Sequence, residues 1–291
     1  MVNLNLLRKI FRLSNIGYLI FCIANLGLIL YIFTNGFTDN ESIIGIIGIY
    51  ILGILISLSP IGEEITTWLI GGRKMKRLDM KVRIVPLLEI VFNKARQKDF
   101  NMPSSIKVKV IYDESANAYS IGRRTICVTS GLFRLSDEQI MGVLAHELGH
   151  ISNRDSQISL IIGGSNLLIA GFFLIMQIIS TIIKFTMIII AIFISKDTAT
   201  SVITVLIGVI QSFIVSCWIK ISLIFVKSSM RASEYDADKF ACELGYSSEL
   251  LSALDLICFD NPTDNKIFNI LNSTHPNYND RIAKIQLVYG L

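Results

Sequence analysis

Charge is scarce in this 291-residue chain, with Asp, Glu, Lys and Arg together making up 17%, against roughly 25% in a typical soluble domain. Hydrophobic residues make up 52% instead. Neither a disordered chain nor one that wraps nucleic acid carries so much apolar surface. A net charge of +4 is also too small to call for a polyanion, so no nucleic-acid partner is expected. Cysteine is sparse and oddly numbered: Cys22, Cys127, Cys217, Cys242 and Cys258 show no CxxC spacing. That excludes a disulfide framework and a cysteine metal site. Only three histidines occur. There is no internal repeat and no low-complexity segment beyond isoleucine richness.

The apolar excess sits in four uncharged blocks: Leu13 to Thr38, Ser42 to Gly62, Ser156 to Ile183, and Thr198 to Ile219, the last running on through Lys220 to Val226. A bilayer core of ~30 Å needs ~20 apolar residues in helix, and all four blocks qualify. Lys184 and Lys220 can snorkel toward headgroups. The apolar stretch Phe185 to Ser195 either extends the third span, lies in the interface or forms a fifth element. Arg8, Lys9 and Arg12 precede the first block, only Asp39 and Glu41 lie in the first loop, and six basic residues follow between Arg73 and Arg83. The positive-inside rule therefore puts the N-terminus and the chain after Gly62 in the cytoplasm. The first block lacks a small-x-small cleavage site and is followed at once by a second, so an uncleaved membrane hairpin is expected.

Between the blocks lie polar segments. Pro86 to Arg96 has helical apolar spacing; Ile106 to Tyr112 alternates as a half-buried strand does; Asn117 to Ile121 and Arg124 to Thr129 read as short strands. Asp137 to Asp155 reads as a helix with Ser136 as N-cap and two acidic residues in its first turn.

That helix contains His146-Glu147-Leu148-Gly149-His150. Positions i and i+4 differ by 40° around a helix and lie ~6 Å apart along it, so both imidazoles can share a tetrahedral Zn²⁺. Glu147 stands beside the metal and outside its shell, placed to take a proton from a water held there. A third ligand is needed. Glu234 and Asp238, also i and i+4, supply a carboxylate for the metal and an acceptor for the free N–H of a liganding histidine. The competing reading of Glu234 is a solvated ion pair with Arg231. The topology agrees with a shared metal: His150 and Glu234 must meet on one side of the bilayer, and two crossings lie between them. Asp155 either supports a histidine, closes the helix or, with Arg154, is an interfacial charge.

The order of these features is a hairpin of two spans, HELGH followed by Asn153-Arg154-Asp155, two more spans, Glu234 to Asp238 within EYDAD, and His275-Pro276 followed by Arg281-Ile282. It resembles the HtpX family of membrane-embedded zinc metalloproteases, relatives of the CAAX prenyl proteases. The resemblance implies that His146, His150 and Glu234 bind one zinc per chain and that Glu147 is the catalytic acid and base. It also implies a gluzincin-type α+β domain facing the cytoplasm, and damaged or misfolded membrane proteins as substrates. Ser115 to Ser120 resembles the strand before the family's active-site helix, where Asn117 and Ala118 would pair with substrate. His275 either donates to the oxyanion or caps the helix that contains Arg281. The chain departs from the family in the apolar stretch Thr181 to Val202.

The expectation is thus a mainly α membrane protein, with about four transmembrane helices and a cytoplasmic α+β zinc protease domain. It would be a multi-pass protein of the plasma or inner membrane, in contact with lipid and with peptide or protein substrates. Residues 1–62 form the first membrane hairpin, 63–157 the first part of the protease domain, 158–226 the second hairpin and 227–291 the second part. The alternatives are a site-2-type intramembrane protease, disfavoured by the charges flanking HExxH, and a catalytically silent membrane scaffold.

Overall fold

A computed structural model describes residues 13–34, 38–190, 233–260 and 278–289, with isolated positions between 206 and 220. The chain divides into two compact units, one of residues 1–16, 54–162 and 227–291, the other of residues 17–53 and 163–226.

The described part of the second unit is helical. Helix α1 (Leu13–Phe33) and helix α2 (Asn40–Ser57) take up the first two apolar blocks. Asp39 opens α2 by accepting from the amides of Glu41 and Ser42 at 3.2 and 3.3 Å, which satisfies donors that the first turn leaves without carbonyl partners. Among the described residues α2 is the one helix long and apolar enough to cross a membrane, while α1 contains the shorter apolar stretch Asn15–Tyr31. The third block lies in a helix running from Asp155 to Ile190, α6 below. It continues through Lys184 and Phe185 without a break, so the short apolar stretch extends that helix as far as Ile190. Most of the fourth block lies outside the described residues.

The first unit is an α+β body. It contains helix α3 (Pro60–Leu69), strand β1 (Arg73–Lys74), helix α4 (Leu78–Lys98), strands β2 (Lys107–Ile111), β3 (Ala118–Ile121) and β4 (Thr125–Thr129), a 3₁₀ turn (Ser130–Arg134), helix α5 (Asp137–Ser152) and the start of helix α6 (Asp155–Ile190). After these come helix α7 over residues 233–243, helix α8 (Ser247–Asp260) and helix α9 (Tyr278–Tyr289). The sheet order is β1-β2-β4-β3; β2 and β4 are parallel, and the other two pairs antiparallel. All five residues of β4 are buried, as befits a strand flanked on both sides and covered by helices. The core gathers Ile84, Val91, Ile126, Val128, Leu144, Leu148 and Leu250.

Helix α4 starts at Leu78, eight residues before Pro86, where the sequence spacing placed the start. Proline at the first turn of a helix is common; here it sits inside. The carbonyl that its missing N–H would have bonded belongs to Val82, which is solvent-exposed, so water can take that bond. The active helix also ends sooner than expected. Arg154 adopts φ +66°, α5 stops at Ser152, and Asp155 becomes the first residue of α6.

Candidate metal centre

Local sequence sets α5 firmly. The Ser136 hydroxyl accepts from the Gln139 amide, and the Gln139 side chain accepts from the Ser136 amide at 2.9 Å, a reciprocal cap on two free donors. One helical turn then separates His146 from His150, and their rings stand edge to face with centroids 4.7 Å apart. Glu234 enters from α7, 88 positions after His146. A Cβ added to Gly149 would lie 2.9 Å from the Ala237 Cα, so α5 and α7 touch backbone to backbone one turn from the ligand atoms.

The three donor groups converge. The two Nε2 atoms are 3.1 Å apart, and Glu234 turns one oxygen to each, Oε2 at 3.4 Å from His146 and Oε1 at 3.4 Å from His150. Behind each ring a carboxylate receives Nδ1: Asp238 at 2.8 Å for His146 and Asp155 at 3.2 Å for His150. With the Nδ1 hydrogens given to those carboxylates, both Nε2 atoms turn lone pairs toward one another and toward Glu234. Such a set repels itself unless a cation stands between. Zn–N bonds of ~2.0–2.1 Å at tetrahedral angles put ligand atoms about 3.3–3.4 Å apart, close to the 3.1 Å between the rings and the 3.4 Å from each ring to its nearer Glu234 oxygen. His146, His150 and Glu234 therefore fit a zinc ion.

Electrostatics favour the same occupant. Glu147, Asp155, Glu234, Asp238 and Arg281 are all less than 9% exposed: four carboxylates and one guanidinium among the described residues around the rings. Burial pushes the His150 ring down, yet hydrogen bonds to Asp155 and Glu234 outweigh it and leave the ring well above its usual range. His146 is raised in the same way by Asp238 and Glu234, against burial and the Arg281 charge. Burial pushes Asp238 up, but Arg281 and His146 together hold its carboxyl at about 2. Both rings attract positive charge, and a divalent metal supplies it without protonating them.

Arg281 escaped the sequence reading as a site residue. Its Nε and Nη2 grip the two Asp238 oxygens at 2.9 and 2.6 Å, and Nη1 stands 3.3 Å from a Glu234 oxygen. It is 3% exposed. Its sequence signals were its place in the Arg281-Ile282 pair of the resemblance and an arginine in an otherwise apolar helical spacing at Ile282 and Ile285, since a buried arginine needs carboxylates.

Glu147 lines a cleft of about 30 Å³ together with Asn117, Val143, His146, Tyr278 and Arg281, roughly the volume of one water. Asn117 leads into β3, which is one of the two edge strands of the sheet. The Asn117 carbonyl accepts from the Thr129 amide at 3.0 Å, so by antiparallel alternation the backbone of Ala118 and Ser120 faces away from β4. The Asn117 side chain accepts from the Ala118 amide at 2.8 Å. The structure thus brings together His146, Glu147, His150, Asp155, Glu234 and Asp238, with Asn117 on the same cleft. His275, and Arg231 as a rival partner for Glu234, lie outside the described residues.

Comparison with known proteins points the same way. The model of the family described as peptidase family M48 matches residues 86–288. A protein named protease HtpX homolog from Campylobacter concisus is 27% identical over 230 residues, covering 69% of this chain and 73% of that protein. One of the same name from Bacteroides fragilis is 38% identical over 96 residues, and the matched stretch spans 31% of this chain and 28% of the relative. A third, from Streptococcus gordonii, is 30% identical over 129 residues, 42% of this chain and 41% of the relative. The crystal structure of Ste24p from S. mikatae aligns with 18% identity and a TM-score of 0.48, over 91% of this chain and 61% of that one.

Proposed function

The chain belongs to peptidase family M48, and from that premise we propose that it is a membrane-bound zinc endopeptidase that cleaves peptide bonds of membrane proteins, damaged or misfolded ones among them. The observation that carries the reading is the trio of His146, His150 and Glu234 at tetrahedral spacing, with Glu147 on the cleft beside it. Zinc held by those three residues would polarise the scissile carbonyl and bring the pKa of a water toward ~7.

The chain's own residues do the rest. The Glu147 carboxylate accepts the proton of the attacking water and returns it to the leaving amine, so it ends the cycle as it began. Asp238 and Asp155 hold each histidine in the tautomer that presents Nε2. Arg281 holds Asp238 with two hydrogen bonds and keeps Glu234 and Asp238 close without mutual repulsion. Asn117 leads into edge strand β3 and Ala118 begins it, and its outward backbone groups suit an extended peptide laid alongside, a mode tolerant of substrate sequence. The Asn117 side chain would give up the Ala118 amide when a peptide takes that place.

In this reading residues 1–62 and 158–226 are membrane hairpins, and residues 63–157 and 227–291 form one protease body on the cytoplasmic side of the plasma or inner membrane. Two experiments test it. Protein purified in detergent should hold about one zinc per chain, lose peptide hydrolysis to a chelator and regain it with zinc. Comparing proteins co-purified with wild type and with Glu147→Gln should reveal retained membrane proteins. A chain that hydrolyses peptides equally well after metal removal would sink the proposal.

A further inference from the structure

Helix α3 is built the wrong way round for a water-soluble body. A surface helix turns its apolar stripe to the core and its polar face to water. Here Gly62, Glu63 and Thr67 are buried, while Ile61, Ile65, Trp68 and Leu69 are exposed, Ile61 by 65% and Trp68 by 74%. At 100° per residue those four side chains fall within an arc of about 100°. They form one continuous apolar stripe.

The buried face has a purpose. The Glu63 carboxylate accepts from the Arg123 amide at 2.6 Å and from the Thr125 hydroxyl at 3.3 Å, which closes the β3–β4 turn against α3. The apolar stripe has no such partner among the described residues. What covers it is indicated by the chain on either side. Three residues before α3 begins at Pro60, α2 ends its apolar run at Ser57. The turn between them is tight: Ser59 accepts from the Ile61 and Gly62 amides, and a Cβ on Gly62 would lie 2.3 Å from the Ser57 carbonyl oxygen. Helix α3 therefore starts where that run stops. After α3 come Arg73, Lys74, Lys76 and Lys81, all exposed. Among the described residues none of the four is ion-paired, in contrast to Arg77, which binds Asp79, and Arg83, which binds Asp137.

We propose that α3 lies in the headgroup zone of an anionic bilayer, its Ile61–Ile65–Trp68–Leu69 stripe in the acyl boundary and the following four cations on lipid phosphates. An apolar stripe beside cations is the composition of an interfacial helix, which sinks about 5–10 Å, and tryptophan favours that depth. This rests on the reading of α2 as a membrane span. The Glu63 clamp then ties edge strand β3, through the β3–β4 turn, to the lipid surface.

Trp68 reports its own depth. The chain has two tryptophans, so a Trp218→Phe full-length protein leaves Trp68 as the only indole. It is placed in vesicles of phosphatidylcholine with or without phosphatidylglycerol. Expected are resistance to carbonate extraction, shielding of Trp68 from aqueous iodide, and stronger quenching by a lipid label near the headgroup than by one at the chain end. Phosphatidylglycerol should increase the shielding, and replacing Arg73, Lys74, Lys76 and Lys81 together with glutamine should abolish that increase. A Trp68 open to iodide overturns the proposal. So does one shielded from iodide and from both lipid labels, which means protein covers it, or one quenched best from the chain end. An increase that survives in the glutamine variant removes the cations from it. A chain washed off by carbonate overturns the membrane reading as well, whereas loss of zinc-dependent hydrolysis alone bears only on the protease reading.

Discussion

No side chain fits between Gly149 and Ala237. A Cβ at position 149 would lie 2.9 Å from the Ala237 Cα and 3.0 Å from its carbonyl oxygen, and both partners are buried. The contact brings α5 and α7 close enough for Glu234 to reach both histidines.

Gly149→Ala therefore has an unusual expected sign. Inside a free helix the change would stabilise by about 1 kcal/mol. Here overpacking should cost about 1–3 kcal/mol, and moving α7 outward should take the Glu234 oxygens off the metal. The variant should melt lower and lose zinc to a chelator that leaves wild type loaded. Unchanged zinc affinity would mean that the close approach plays no part in holding the metal.

Glu147 and Glu234 should separate base from ligand. Glu147→Gln keeps size and shape but cannot accept a proton, so it should retain about one zinc per chain and lose at least ~10²–10⁴-fold in peptide hydrolysis. Glu234→Gln removes a charged donor and should lose metal and activity together. Zinc content and hydrolysis on both purified variants decide the matter; a zinc-loaded Glu234→Gln protein would move the third ligand elsewhere.

Arg281→Gln leaves two buried carboxylates, Asp238 and Glu234, without their guanidinium. Breaking a buried pair in this way costs about 3–5 kcal/mol, and an unheld Asp238 no longer fixes the His146 ring. The expected result is a lower melting temperature, most marked in the metal-free protein, with weaker zinc binding. Asp238→Asn should weaken zinc binding about 10–100-fold through the same ring. If Arg281→Gln melts like wild type with and without zinc, the guanidinium is dispensable.

Glu63 makes a test of the β3–β4 turn. Glu63→Ala strands the buried Thr125 hydroxyl and takes the acceptor from the Arg123 amide, at a cost of about 1–3 kcal/mol, whereas Glu63→Gln keeps an oxygen there and should restore most of the loss. Amide exchange at residues 122–125 should accelerate in the alanine variant alone. Gly122, at φ +60° with Glu63 packed where its Cβ would lie, should not accept alanine.

Part of this protein is legible in the letters alone, because it depends on neighbours in the chain. The i, i+4 spacing of His146 with His150 and of Glu234 with Asp238 follows from helix geometry. The strand alternation at Lys107–Ile111 and the Ser136 cap are likewise local. Helix ends are less legible: a proline that often starts helices sits within α4, and the break at Arg154 follows no proline or glycine.

What the sequence could not decide is which residues meet after long separations. Arg281 reaches Asp238 across 43 positions, Ser152 reaches Asp99 across 53, and Glu63 reaches Arg123 across 60. Such pairs leave no period in the chain, since loop closure selects them only when the core brings their elements together. The same holds for α3. The apolar block ending at Gly62 did not mark a helix over Pro60–Leu69, and only the folded unit decides that Glu63 turns inward and Trp68 outward. The buried Thr125 hydroxyl and the Arg123 amide beside it need an acceptor, and Glu63 is the acceptor that packing brings to them.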